Sequence, residues 1–240
     1  MKVIFAAAIF AAACVQGGTI VIPAANAAAE GSGAADVGNM FLGSFATTTQ
    51  AFIPASMLSG IAVGSQITGM AFRLDSSAST SPASDLTWTN YDIVLSQPSA
   101  TFSTNTATPF ASNLGADATA VRSGSLTITA GSYTGGGSPN PFGPFILFTT
   151  PYIYTGTALV IQIRSSGASG ADFVLDSDVN FLGTELLNGA GYAGTTGSSS
   201  IGRIPVTELQ FGPAQSGVPE PGSMSLFAAG AAALLLLRRR

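Results

Sequence analysis

The 240-residue chain has no histidine, one cysteine (Cys14) and one lysine (Lys2). Without histidine neither a Ser-His-Asp nor a Cys-His arrangement can be assembled, and zinc loses its usual ligands. A lone cysteine leaves no partner for a disulfide within the chain, so stability rests on packing and on sheet hydrogen bonds. Charge is scarce as well. Charged residues make up 8% of the chain, against about 25% in ordinary soluble domains. Between residues 28 and 217 the basic side chains are Arg73, Arg122, Arg164 and Arg203, and the acids outnumber them. That balance disfavours phosphate-rich partners, so nucleic acid is set aside. Ser, Thr, Asn and Gly fill the surface instead, and such a neutral, hydroxyl-rich surface suits a hydrated polysaccharide matrix.

The two ends differ from the body. Met1 and Lys2 form a minimal positive start, residues 3–15 an apolar run, and Ala25-Asn26-Ala27 a small-x-small site, together a secretory signal peptide over residues 1–27. Ala25 and Ala27 are its expected cleavage residues. The stretch 16–23 makes the segment before that cut longer than usual. Cys14 follows Ala11-Ala12-Ala13, but a lipoprotein reading lacks the usual Leu and would shorten the apolar run, so Cys14 is expected to leave with the leader.

At the other end Pro219-Glu220-Pro221 is followed by an uncharged span to Leu237 and then by Arg238-Arg239-Arg240. Proline fixes φ and lacks an N–H, so the flanked glutamate sits in a short extended segment suited to an enzyme's cleft. The span 222–237 is rich in Ala and Leu, and as a helix it reaches about 24 Å. With snorkelling arginines this predicts a C-terminal transmembrane helix whose basic end stays in the cell. Motif, apolar span and basic stop together resemble the C-terminal sorting signal of PEP-CTERM proteins, the bacterial substrates of exosortase proteases. The resemblance covers residues 218–240. It implies an exosortase-type membrane protease as partner, transient residence in the inner membrane through the C-terminal helix, cleavage near Pro219-Glu220-Pro221, and transfer to the cell surface or the exopolysaccharide matrix.

The body, residues 28–217, has the length of one domain, and its hydrophobic period is two. Tyr91, Ile93 and Leu95 alternate with Asp92 and Ser96, and Leu159, Ile161 and Ile163 with Gln162 and Arg164. Met70, Phe72 and Leu74 share a side opposite Arg73. Residues 125–130, 171–176 and 204–211 read as further strands, and 145–149, apolar on both faces, as a central strand. Residues 40–45 and 51–53 read as an opening pair or an edge, 180–188 as a helical turn or two, and 28–39 and 212–217 as flexible ends. Many short strands separated by Gly/Pro/Ser loops predict an all-β fold, an antiparallel β-sandwich or jelly roll, flanked by the signal helix and the transmembrane helix.

Candidate chemistry in the body is sparse. Two facing acids could serve glycoside hydrolysis, and Asp176 with Glu185 is such a pair, but dispersed loop acids are usually only solvated. No catalytic residues and no cofactor are expected. Asp172, Asp176, Asp178 and Asn180 form the densest oxygen cluster and the one calcium candidate; Phe181 and Leu187, standing where an EF-hand loop needs Gly and Glu, exclude that motif. Tyr152 and Tyr154 share a strand face and are the candidate sugar-stacking pair. The sequence therefore predicts a non-catalytic exported surface or matrix protein, with a carbohydrate-binding module, calcium-assisted or not, as the alternative.

Overall fold

The computed structural model describes residues 17–33, 38–102, 109–171, 173–180 and 183–213. Among them fourteen strands run in chain order: β1 (Gly18–Ile22), β2 (Thr47–Ile53), β3 (Gln66–Phe72), β4 (Leu86–Trp88), β5 (Tyr91–Ser96), β6 (Thr119–Arg122), β7 (Leu126–Ile128), β8 (Ile146–Ile153), β9 (Leu159–Ser165), β10 (Ser177–Asp178), β11 (Glu185–Ala190), β12 (Ser198–Ile201), β13 (Ile204–Pro205) and β14 (Thr207–Gly212). Two short helices, α1 (Gly38–Leu42) and α2 (Phe110–Asn113), accompany them.

All strand pairs are antiparallel. A six-stranded sheet has the order β12-β11-β2-β9-β5-β6, and a four-stranded sheet the order β1-β14-β3-β8. The alternation read from the sequence sets the faces of the larger sheet. Ile53 of β2, Tyr91, Ile93 and Leu95 of β5, and Leu159, Ile161 and Ile163 of β9 point into a core that Met70, Phe72 and Leu209 enter from the smaller sheet. Trp88, fully buried, packs edge-on to Tyr91 at 6.2 Å and donates its indole N–H to the Gly43 carbonyl at 3.1 Å.

The opposite face of the larger sheet is covered too. Gln50 and Gln162 face each other across β2 and β9, and α2 lies over them. The Gln50 amide donates to Gln162 Oε1 at 2.9 Å and to the Phe110 carbonyl at 2.8 Å, and Gln50 Oε1 accepts from Asn113 Nδ2 at 2.8 Å. Buried amides are tolerated only when bonded in this way.

Several expectations need correction. The sheets are open and do not close into a β-sandwich or jelly roll. The two-stranded ribbons β4-β7 and β10-β13 pair separately instead of bridging the larger sheets, because strands of two or three residues between Gly-rich loops cannot extend a ladder. Neither flanking helix of the expected fold is found among the described residues. Residues 18–27 hold β1 and a 3₁₀ turn (Ala24–Ala27), no helix among the described residues is long and apolar enough to cross a membrane, and residues 1–16 and 222–237 lie outside the described residues. Of the segment 145–149, residues 146–149 belong to β8, an edge strand with Leu147 61% and Ile153 50% exposed. Of the expected strand 171–176, the described residues 171 and 173–176 form no strand beyond the bridge of Leu175 to Leu74, 185–190 are strand instead of helix, and 38–42 are helix instead of strand.

The first strand is part of the body. β1 pairs with β14 along its whole length, from Gly18 opposite Phe211 to Ile22 opposite Thr207, and Ile22 is fully buried in the core. Burying one such side chain contributes about 1.5–3 kcal/mol. Both ends of the described body therefore emerge at one corner of the smaller sheet.

Gln50→Leu removes three buried hydrogen bonds at once without a change of fold, and is expected to cost roughly 1–3 kcal/mol in urea denaturation; a variant as stable as the parent would contradict the role given to this network.

Candidate functional site

The most strongly charged locus among the described residues lies where the segment after the 3₁₀ turn meets β3 and β10. Arg73 continues β3 past Phe72 and is turned inward, 1% exposed. Its guanidinium meets Asp176, which is fully buried: Nε donates to Asp176 Oδ2 at 2.7 Å and Nη2 lies 2.6 Å from the same oxygen. Nη2 also donates to the Ala29 carbonyl at 2.6 Å, and the guanidinium sits over the Phe142 ring with its central carbon 5.2 Å from the centroid. Asp176 Oδ1 accepts the Gly31 N–H at 3.0 Å.

The approach is close enough to require glycine. A Cβ on Gly31 would stand 2.1 Å from the Ser177 carbonyl oxygen and 2.6 Å from Asp176 Oδ1, and one on Gly33 2.1 Å from Ser177 Oγ. Residues 28–33, read from composition as part of a flexible end, are thus fastened to the body.

Glu30 and Asp75 bring two more carboxylates to this place, each with an oxygen within 4.8 Å of the others and of Asp176. Glu30 Oε1 accepts the Ser76 N–H at 2.7 Å, and Asp75 Oδ1 accepts from the backbone and hydroxyl of Ser77. Burial pushes the Glu30 carboxyl above the usual carboxylate range; the Ser76 N–H and Arg73 lower it, and Asp176 and Asp75 raise it further. Asp176 is likewise pushed up by burial, with Arg73 and the Gly31 N–H pulling it back. Three acids around one arginine make a structural clasp. Arg73 and backbone N–H groups take both Asp176 oxygens and one of Glu30, while Glu30 Oε2 is buried without a hydrogen-bond partner.

The expected calcium set is divided by the structure. Asp172 lies outside the described residues. Asp176 is spent on Arg73. Asp178, nearly buried, accepts the Ser32 hydroxyl at 3.0 Å and the Asn180 N–H at 2.9 Å through one oxygen, and Asn180 donates its side-chain amide to Ser32. The sequence reading missed Glu30, Arg73 and Asp75 here because the contacts span 44 to 103 positions; the one local signal was a charged residue in an otherwise apolar strand.

The sugar-stacking pair is corrected as well. Tyr152 and Tyr154 are 2% and 3% exposed, so neither ring face is open to a ligand. The Tyr152 hydroxyl donates to Asp117 Oδ2 at 2.6 Å. Trp88, Tyr91 and Tyr133 are fully buried, as aromatic strand residues usually are.

Asp176 and Glu185 do not frame an open cleft, for both are buried, and Glu185 bonds to the Ser199 hydroxyl across the β11-β12 pair. Shallow clefts of about 400, 600 and 600 Å³ lie beside residues 77–83, between Thr19 and Gln210, and beside Met40 and Phe45, and no carboxylate lines any of the three.

The sorting residues Pro219, Glu220, Pro221 and Arg238, Arg239, Arg240 lie outside the described residues. Ala25 and Ala27 are exposed in the 3₁₀ turn on either side of Asn26, which is 4% exposed, and the docked segment follows them.

The described acids are thus engaged largely in structural contacts within an antiparallel β domain, and the distinctive signal of the chain lies in its carboxy-terminal region. Residues 217–240 match the family model of the PEP-CTERM protein-sorting motif, a match consistent with an exosortase substrate. A search of curated proteins gives no match. The membrane-anchoring partner role and the stop in the inner membrane, both expected from the tail, are corrected here: no helix among the described residues is long and apolar enough to cross a membrane.

Breaking the clasp from one side leaves a buried charge without its counter-charge. Asp176→Asn is expected to lose roughly 3–5 kcal/mol in urea denaturation, and the double change Arg73→Met with Asp176→Leu to recover most of it. A single variant as stable as the parent would remove the clasp from the account. Because the Glu30 pKa is raised on folding, its protonated form favours the folded state. That contribution is complete below the unfolded value and is lost as pH rises through the folded one. The melting temperature is therefore expected to rise as pH falls from 7 toward 5, and Glu30→Gln to flatten that rise in a pH series of thermal melts.

Proposed function

We propose that an exosortase-type protease cuts the chain at or near Pro219-Glu220-Pro221, and that the domain it releases serves as a non-catalytic component of the cell surface or the exopolysaccharide matrix. The carrying observation is the sorting motif over residues 217–240. The body supports the reading by its chemistry. Its hydroxyls and amides offer hydrogen bonds in both directions to a hydrated glycan network, and its few charges limit binding to ionic polymers. A carbohydrate-binding module finds less support, because the tyrosines proposed as its platform are packed in the core.

Replacing Pro219-Glu220-Pro221 with three alanines is expected to leave an intact carboxy-terminal end, read by mass spectrometry of fractionated cells, and to keep the protein cell-associated. Unchanged trimming and release of the triple variant would overturn the reading.

A further inference from the structure

We propose that the leader is removed upstream of Gly18, between Ala13 and the Gly17-Gly18 bond, so that the exported protein retains β1; Ala25-Asn26-Ala27 has the composition of a cleavage site without being one. This rests on the reading of the chain as exported and concerns the other end of it.

Three observations carry the inference. The first is pairing. β14 lies between β1 and β3, and all five residues of β1 are in register with it. A cut after Ala27 would turn β14 into an edge strand with a row of unpaired backbone groups, the exposed template that β proteins avoid.

The second is packing. Ile22 is fully buried in the core and Ile20 packs against it. Gly60 approaches Ile20 so closely that a Cβ there would lie 2.9 Å from its Cγ2. Loss of β1 would open a cavity at Ile22 with no neighbouring segment to fill it.

The third is the turn itself. The Asn26 N–H donates to the Pro23 carbonyl at 3.0 Å and its side-chain amide to the Glu30 carbonyl at 3.1 Å. The turn thereby leads β1 directly into the segment that Arg73 and Asp176 hold. A mature chain starting at Ala28 would begin one residue before the Ala29 carbonyl that Arg73 binds.

The leader's own grammar agrees. The apolar run ends at residue 15 and is followed by the small residues Gly17 and Gly18, while Ala11-Ala12-Ala13 supplies a small-x-small pattern within it whose use would keep Cys14, against the expectation that it leaves with the leader. An upstream cut also removes the unusual length that a cut after Ala27 imposes.

The test is amino-terminal sequencing and intact mass of the protein exported by cells making the full chain, beside two variants. The exported wild type is expected to begin between Cys14 and Gly18, and Ala25→Leu with Ala27→Leu, which would block a cut after Ala27, to be processed identically. Ile22→Ala in the exported protein is expected to lower the melting temperature by roughly 5–15 °C; in a discarded leader it would change nothing. An exported protein beginning at Ala28, a double variant that accumulates uncut, or an Ile22→Ala protein that melts like the parent would each overturn the proposal. Molecules that all begin at Met1 and stay in the cell would instead remove the export reading, and this proposal with it.

Discussion

The buried contact between Arg73 and Asp176 fixes more of the chain than any other side-chain interaction described. It joins the strand β3 to the approach of β10 and carries the segment 29–31 with it through the Ala29 carbonyl and the Gly31 N–H. An ion pair so fully withdrawn from water contributes little net stability compared with an apolar pair, yet either charge alone there would be costly. Its effect is to admit one arrangement. The carboxylate must face the guanidinium, so the segment that ends the first crossover has one docking position, and the glycines at 31 and 33 are the residues small enough to take it.

The same economy runs through the domain. With no disulfide possible within the chain, the interior relies on apolar packing and on polar groups that satisfy each other, as in the Gln50, Gln162 and Asn113 network beneath α2. Polar side chains used in this way are not available for chemistry. Asp176 neutralises Arg73, Glu185 bonds Ser199, and Asp117 accepts from Tyr152 and from the Gln97 N–H. With these carboxylates engaged and Trp88, Tyr91, Tyr133 and Tyr152 internal, the outside is left to hydroxyls, glycine and backbone, with Phe45, Val63, Leu147 and Ile153 as its exposed large apolar side chains. That suits a protein whose specific address lies in its tail.

Two strands of the larger sheet, β5 and β9, were legible because they alternate cleanly, whereas β11 read as helical turns and β6 and β12 went unread. Tyr91, Ile93 and Leu95, and again Leu159, Ile161 and Ile163, state their face without reference to the rest of the chain. Other features were not legible either. β1 hides behind an apolar leader, since Thr19-Ile20-Val21-Ile22 continues the same hydrophobic character; its β-branched residues were the available sign that strand had begun. β8 is apolar on both sides and so resembles a central strand, although its neighbours place it at an edge with Leu147 outside. The burial of Tyr152 and Tyr154 depends on a second sheet that no local pattern reveals. The sorting tail, by contrast, is a short linear signal and was readable from residue order alone. The acid clasp needed partners far apart in sequence, so composition showed its ingredients and gave no hint of their meeting.

The pairing of β1 with β14 places Gly18 opposite Phe211, so both strands meet the rest of the chain at the same end of their ladder. Any pull applied between the two termini would act across this ladder and open its hydrogen bonds one after another, as a zip opens, instead of loading them together in shear. Tension borne by one terminus and the far face of the domain would meet the whole smaller sheet. Such a body resists force well when it is tethered by a single end, and poorly when it is made a link in a chain.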